Sequence, residues 1–138
     1  MTATGSETAT SEIDTTVCLV DDDASVRKSI GRLLESAGYQ VRSFAKPEEF
    51  LNHLMSHQVP LVVVDIWMEN MTGMELLAHL CARSPQTRAI FITGHEDTAA
   101  ERTVMQAGAF AFFLKPLDSE QFLDSVRSAL KELAIDAG

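Results

Sequence analysis

Apolar positions recur along the chain in two alternating rhythms. Val17-Cys18-Leu19-Val20 is a short unbroken apolar run, stopped abruptly by Asp21-Asp22-Asp23. It is too short for a buried helix, and an unbroken run suits a strand covered on both faces. The period then turns helical: Val26, Ile30, Leu33, Leu34 and Ala37 share one face, and Gly38 follows as a C-terminal stop. Tyr39 to Phe44 alternates as a strand does. Pro47, followed by Glu48 and Glu49, opens a second helix, because proline lacks only an N–H that the first turn leaves unpaired. Phe50, Leu51 and Leu54 form its buried face.

The cycle then repeats. Leu61-Val62-Val63-Val64-Asp65 is a second apolar run ending in an acid. A loop to Gly73 precedes a helix carrying Leu76, Leu77 and Leu80. Ala89 to Thr93 reads as a strand, Asp97 to Ala107 as a helix, and Phe110 to Leu114 as a fifth strand. Asp118-Ser119-Glu120-Gln121 resembles a capping box before a last helix bearing Phe122, Val126, Leu130 and Leu133. Five strands alternating with five helices predict an α/β fold, a parallel sheet with helices on both faces. In such sheets ligands bind beyond the carboxyl ends of the strands.

Composition narrows the setting. At 138 residues and 46% apolar content, the chain suits one globular domain with a real core. Residues 1–14, rich in Ser, Thr, Ala and Glu, offer little to bury and are expected to form a disordered tail. No apolar run is long enough to cross a bilayer, and the first residues lack the pattern of a secretory signal, so a cytoplasmic location is expected. Cys18 and Cys81 both fall in apolar segments and read as small buried hydrophobes, not as a disulfide. The net charge of −9, from 11 Lys and Arg against 20 Asp and Glu, argues against direct nucleic-acid binding, which needs a basic face.

The chemistry-bearing residues stand at strand ends: Asp21 and Asp22 after the first, Asp65 at the third, Thr93 at the fourth, Lys115 after the fifth. A parallel sheet brings them to one rim. Three carboxylates there repel one another unless a cation neutralises them, and oxygen-only ligation favours a hard ion such as Mg²⁺. With one hydroxyl and one ammonium added, the rim can hold a phosphoryl group, and a central carboxylate can take it as an acyl phosphate. The simpler reading of Asp21-Asp22-Asp23 alone is a helix-capping cluster, with Asp23 the best cap.

Val20-Asp21-Asp22-Asp23, Val64-Asp65, Thr93-Gly94 and Lys115-Pro116 stand in the order and spacing of the CheY-like receiver family. The loop Asp65-Ile66-Trp67-Met68-Glu69-Asn70-Met71-Thr72-Gly73 resembles that family's D-x-x-M-P-x-M-x-G signature. Each motif alone is weak; together and in register they are specific. The likeness runs from about Thr16 to Leu133, and wording such as Val26-Arg27-Lys28-Ser29-Ile30 is nearest to FixJ-type regulators. The resemblance implies a receiver domain over residues 15–135, doubly wound in the flavodoxin-like strand order 2-1-3-4-5. It implies that Asp65 accepts a phosphoryl group from a sensor histidine kinase, with Thr93 and Lys115 contacting the phosphoryl oxygens. Mg²⁺ would be held by Asp21, Asp22, Asp65 and the backbone carbonyl of Trp67. Thr93 and Phe112 match the switch positions, although Phe112 taken alone reads as core. A cis Lys115-Pro116 bond, a homodimer on phosphorylation and a separate C-terminal DNA-binding domain also belong to this expectation.

One departure is visible. The family usually has proline where this chain has Glu69, which is expected to loosen the loop after Asp65 and add a negative charge beside it. Trp67 and His95 match positions that tune dephosphorylation in the family. Two other functions compete. An aspartyl phosphohydrolase of the haloacid dehalogenase type needs an acid two residues past its nucleophile, where this chain has Trp67. A degenerate receiver acting purely as an interaction module is disfavoured by a complete residue set. His53 and His57 have helical i, i+4 spacing but no third ligand nearby, so they and His79 read as surface residues. Met68, Met71 and Met74 read as loop and core filler.

Overall fold

The computed structural model describes residues 16–137. The tail expected over residues 1–14 lies outside them. Strands β1 (Thr16–Val20), β2 (Gln40–Phe44), β3 (Leu61–Asp65), β4 (Arg88–Thr93) and β5 (Ala111–Leu114) alternate with helices α1 (Ala24–Ser36), α2 (Pro47–Leu54), α3 (Gly73–Arg83), α4 (Thr98–Gln106) and α5 (Ser119–Ala137). The strands form one parallel sheet in the order β2-β1-β3-β4-β5. This is the expected 2-1-3-4-5 arrangement.

Alternation along the strands divides the apolar interior into two layers. Val17, Leu19, Leu61, Val63, Ile90 and Ile92 face α1 and α5, meeting Ile30, Leu34, Phe122 and Val126. Cys18, Val20, Val62, Val64 and Phe91 face the other side, meeting Phe50, Leu76, Leu80 and Val104. The unbroken apolar runs of β1 and β3 follow from burial on both faces. Each fully buried aliphatic side chain contributes about 1.5–3 kcal/mol by leaving water.

Helix ends carry the expected signals. Asp23 caps α1, accepting from the Ser25 and Val26 N–H groups, and those bonds hold its carboxyl below the usual range. Gly38, two residues past α1, has φ +96°, a left-handed conformation that favours glycine. Ala37, placed by periodicity on the buried face, is instead the exposed C-cap residue. Pro47 sits in the first turn of α2, and Asp118 caps α5 by accepting from the Gln121 N–H at 3.0 Å. Cys18 is buried, but Cys81 is exposed, correcting the expectation for the second cysteine. Leu76, Leu77 and Leu80 already fill the inward stripe of α3, and Cys81 falls on its flank beside Ala107. Met68 is buried, and Met71 and Met74 pack partly against the core.

Candidate functional site

Strand register assembles the site. Val20 pairs with Val64 and Asp65 with Ile92, so Asp21 emerges beside Asp65 at the carboxyl edge of the sheet. Thr93 pairs with Leu114, and the Lys115 N–H donates to the Thr93 carbonyl at 2.8 Å, continuing the ladder one residue beyond β5. Asp21, Asp22, Asp65, Thr93 and Lys115 therefore share one rim, though Lys115 and Asp21 lie 94 residues apart in sequence. The Lys115-Pro116 peptide is cis, as expected.

The carboxylates differ in their surroundings. Asp21 is fully buried; its Oδ1 accepts from the Asp23 N–H at 2.9 Å and its Oδ2 from Lys115 Nζ at 3.1 Å. Asp65 is 6% exposed, with Oδ2 at 3.7 Å from Lys115 Nζ and Oδ1 accepting a long 3.4 Å bond from the Trp67 N–H. Burial first, and the Asp21 charge second, push the Asp65 carboxyl up to about 6, against the opposing pull of Lys115 and the Trp67 N–H. Asp22 is exposed, and its Oδ2 accepts from the Glu69 N–H at 3.2 Å. One carboxylate oxygen from each of Asp21, Asp22 and Asp65 lies within 4.8 Å of the others. These are hard oxygen donors at a spacing that fits one small divalent cation. Among the described residues this is the one group of three or more metal-ligating side chains, and neither His53 nor His57 belongs to it. Those two imidazoles stack on each other, with centroids 4.0 Å apart.

Thr93 is fully buried, its Oγ1 accepting from the His95 N–H at 3.4 Å. Phe112 is half-buried against the α2–α3–α4 layer of the core. Trp67 is 47% exposed at the rim, two residues beyond Asp65. The loop between them and α3 is tightly drawn. The Gly73 N–H donates to the Ile66 carbonyl at 2.7 Å, and the Met71 N–H to the Glu69 carbonyl at 2.8 Å around Asn70, whose φ is +75°. Thr72 and Glu75 close a reciprocal capping box at the start of α3. Sequence reasoning missed two contacts. One is the bond from the Glu69 N–H to Asp22. The other is Arg27, whose Nη1 donates to the Asp21 carbonyl at 2.7 Å, buttressing the β1–α1 turn from one helical turn away. The signal for Arg27 was its place four residues after the Asp23 cap.

The chain is similar to known proteins in sequence and fold. Residues 17–127 match the response regulator receiver domain family. The transcriptional regulatory protein FixJ of Bradyrhizobium diazoefficiens is 32% identical over 84% of this chain and 57% of its own length. Among solved structures, a response regulator from Burkholderia pseudomallei with a phosphorylated aspartic acid and a calcium ion superposes with a TM-score of 0.76. It is 26% identical, over 91% of this chain and 74% of that one. The beryllofluoride-activated NtrC4 receiver domain dimer superposes at 0.82, with 28% identity, over 86% of this chain and 98% of that one. The chain spans about half or less of the length of the curated relatives it matches first. By matched sequence, strand order and shared structure, this chain belongs to the response regulator receiver domain family.

Proposed function

We propose that residues 15–135 receive a phosphoryl group on Asp65 from the histidine of a sensor kinase. The observation that carries this reading is the Lys115 ammonium set between Asp21 and Asp65 in a three-carboxylate rim. A carboxylate oxygen of Asp65 attacks phosphorus, the phosphorus–nitrogen bond of the kinase phosphohistidine breaks, and an acyl phosphate remains on Asp65. Asp21, Asp22, Asp65 and the Trp67 carbonyl would hold Mg²⁺, which would supply positive charge to offset the phosphoryl oxygens. Lys115 adds a second positive charge from the carboxyl end of β5, and the Thr93 hydroxyl donates to a phosphoryl oxygen. Drawing Thr93 inward opens space that Phe112 follows, biasing the surface formed by α4 and β5 between two pre-existing states. Attack of water on the acyl phosphate resets the domain.

Family membership makes this a signalling domain; what it signals to lies elsewhere. FixJ is a transcriptional regulator, and this chain spans only part of such proteins, so a DNA-binding domain C-terminal to the receiver is the output we favour. The NtrC4 receiver dimer supports homodimerisation on phosphorylation. No helix among the described residues is long and apolar enough to cross a membrane, which accords with a cytoplasmic phosphorelay.

The test is intact mass after incubation with acetyl phosphate and Mg²⁺, for the parent and Asp65→Asn. The expected result is a gain of one phosphoryl group in the parent, absent without Mg²⁺ and absent in the variant. No gain by folded parent protein would replace this reading with a pure interaction module. A gain that survives Asp65→Asn would mean another nucleophile.

A further inference from the structure

Each carboxylate of the rim has its own hydrogen-bond donor. Asp21 has the Asp23 N–H and Lys115, and Asp65 has the Trp67 N–H beside Lys115. For Asp22, the exposed member, the donor among the described residues is the Glu69 N–H, 47 residues away at 3.2 Å. Proline has no N–H, so a chain with proline at 69 cannot make this bond. The residue that presents it is held through its following peptide. The Glu69 carbonyl accepts from the Met71 N–H across a three-residue turn, and Gly73 closes the same loop onto Ile66. Asn70 holds that turn at φ +75°, a left-handed conformation that asparagine adopts more readily than most L-residues.

We propose that the Glu69 backbone N–H is a positioning group that holds the Asp22 carboxylate ready for the divalent cation. This rests on the reading that Asp21, Asp22 and Asp65 bind Mg²⁺. The tied arrangement is the one in which the three carboxylates lie within 4.8 Å of one another. An exposed aspartate otherwise samples several rotamers, and cation binding must select one of them; a fixed donor makes that selection in advance. The bond also joins the β1–α1 turn to the loop after β3, so cation binding and the conformation of residues 66–72 become one equilibrium. By linkage, the cation stabilises the bond as the bond favours the cation. The Glu69 side chain has no part in this; its backbone does.

Two variants at one position separate backbone from side chain. Glu69→Ala keeps the N–H and removes the charge; Glu69→Pro removes both. Trp67, the single tryptophan of the sequence, lies exposed two residues from Asp65 and reports Mg²⁺ titrations by fluorescence. Glu69→Ala is expected to bind Mg²⁺ within about twofold of the parent, since an exposed charge is screened. Glu69→Pro is expected to bind about three- to tenfold more weakly, the scale of one charge-assisted hydrogen bond at an exposed carboxylate. Equal affinities in the two variants would overturn the inference while leaving the metal reading intact. A parent that binds no Mg²⁺ would overturn the metal reading and the inference with it. Should Glu69→Pro fail to fold, the parent and Asp22→Ala decide by amide hydrogen exchange. The Glu69 amide is expected to be protected in the parent, more so with Mg²⁺, and to exchange at least tenfold faster in Asp22→Ala. Equal exchange in both would overturn the proposal.

Discussion

Asp65, the proposed acceptor, is held in its place at some cost to the fold. Its carboxyl is raised from 3.8 to about 6, mainly by burial and then by Asp21, so the folded chain binds that proton more tightly than the unfolded one. Its contribution to stability is therefore full below the lower value and is lost as pH rises through the upper one. In chelator-treated buffer at pH 7, Asp65→Asn is expected to be about 1–2 kcal/mol more stable than the parent, after allowance for solvent screening. Thermal melts from pH 4 to pH 7 check this: the advantage should shrink as pH falls below about 6. An advantage that did not change with pH would point to packing. Asn70 makes a second residue-scale prediction. At φ +75°, Asn70→Gly should be neutral or slightly stabilising, whereas Asn70→Val should cost about 1–2 kcal/mol in urea unfolding. Residue types at strand ends made Asp21, Asp22, Asp65, Thr93 and Lys115 legible in the sequence. The Glu69–Asp22 bond was not, because its donor is a backbone N–H that every residue but proline carries and its register depends on loop geometry.

Elements were legible wherever burial imposes a period. The doubly buried strands β1 and β3 could hardly be read otherwise. The caps Asp23 and Asp118 marked helix starts by accepting from backbone N–H groups, and Pro47 marked one by the N–H it lacks in a first turn. Periodicity fared worse at margins. Ala37 continues the apolar stripe of α1 but falls past its last turn, and Cys81 sits in an apolar stretch whose inward places are taken by leucines. The junction of β3 with α3 carries a prediction of its own. A Cβ on Gly73 would lie 2.9 Å from the Asp65 carbonyl oxygen, 3.0 Å from Ile66 Cα and 3.1 Å from a Phe91 ring carbon. Two of these neighbours are backbone and cannot swing aside. Gly73→Ala should thus destabilise by about 1–3 kcal/mol in urea unfolding, the range for overpacked sites. It should also slow labelling by acetyl phosphate, because the displaced backbone belongs to Asp65. Normal labelling in a destabilised Gly73→Ala chain would show that the strand end moves without disturbing the proposed acceptor.

For the molecule as a whole, a cation that binds the folded rim and not the unfolded chain must stabilise the fold. At one hundred times its dissociation constant, Mg²⁺ is expected to add about 2.7 kcal/mol, reversed by chelator and diminished in Asp65→Asn. Unchanged melting across a Mg²⁺ titration would count against the three-carboxylate site. The strand order was legible through the resemblance, since alternation of strands and helices fixes a parallel sheet but not the sequence of its neighbours. An acidity of −9 was visible at once, yet it could not show that three of those charges meet at one point; only the parallel register brings them there.

Lys115 leaves the last strand to be added to the sheet and closes on Asp21, which leaves the first. A nascent or clipped chain ending before β5 contains every acid of the rim and lacks its one ammonium. On the proposed function, such a fragment carries the address for the phosphoryl group without the means to receive it well. On that reading, signal acceptance doubles as an inspection of the finished molecule, and incomplete copies drop out of the relay without a separate quality-control step.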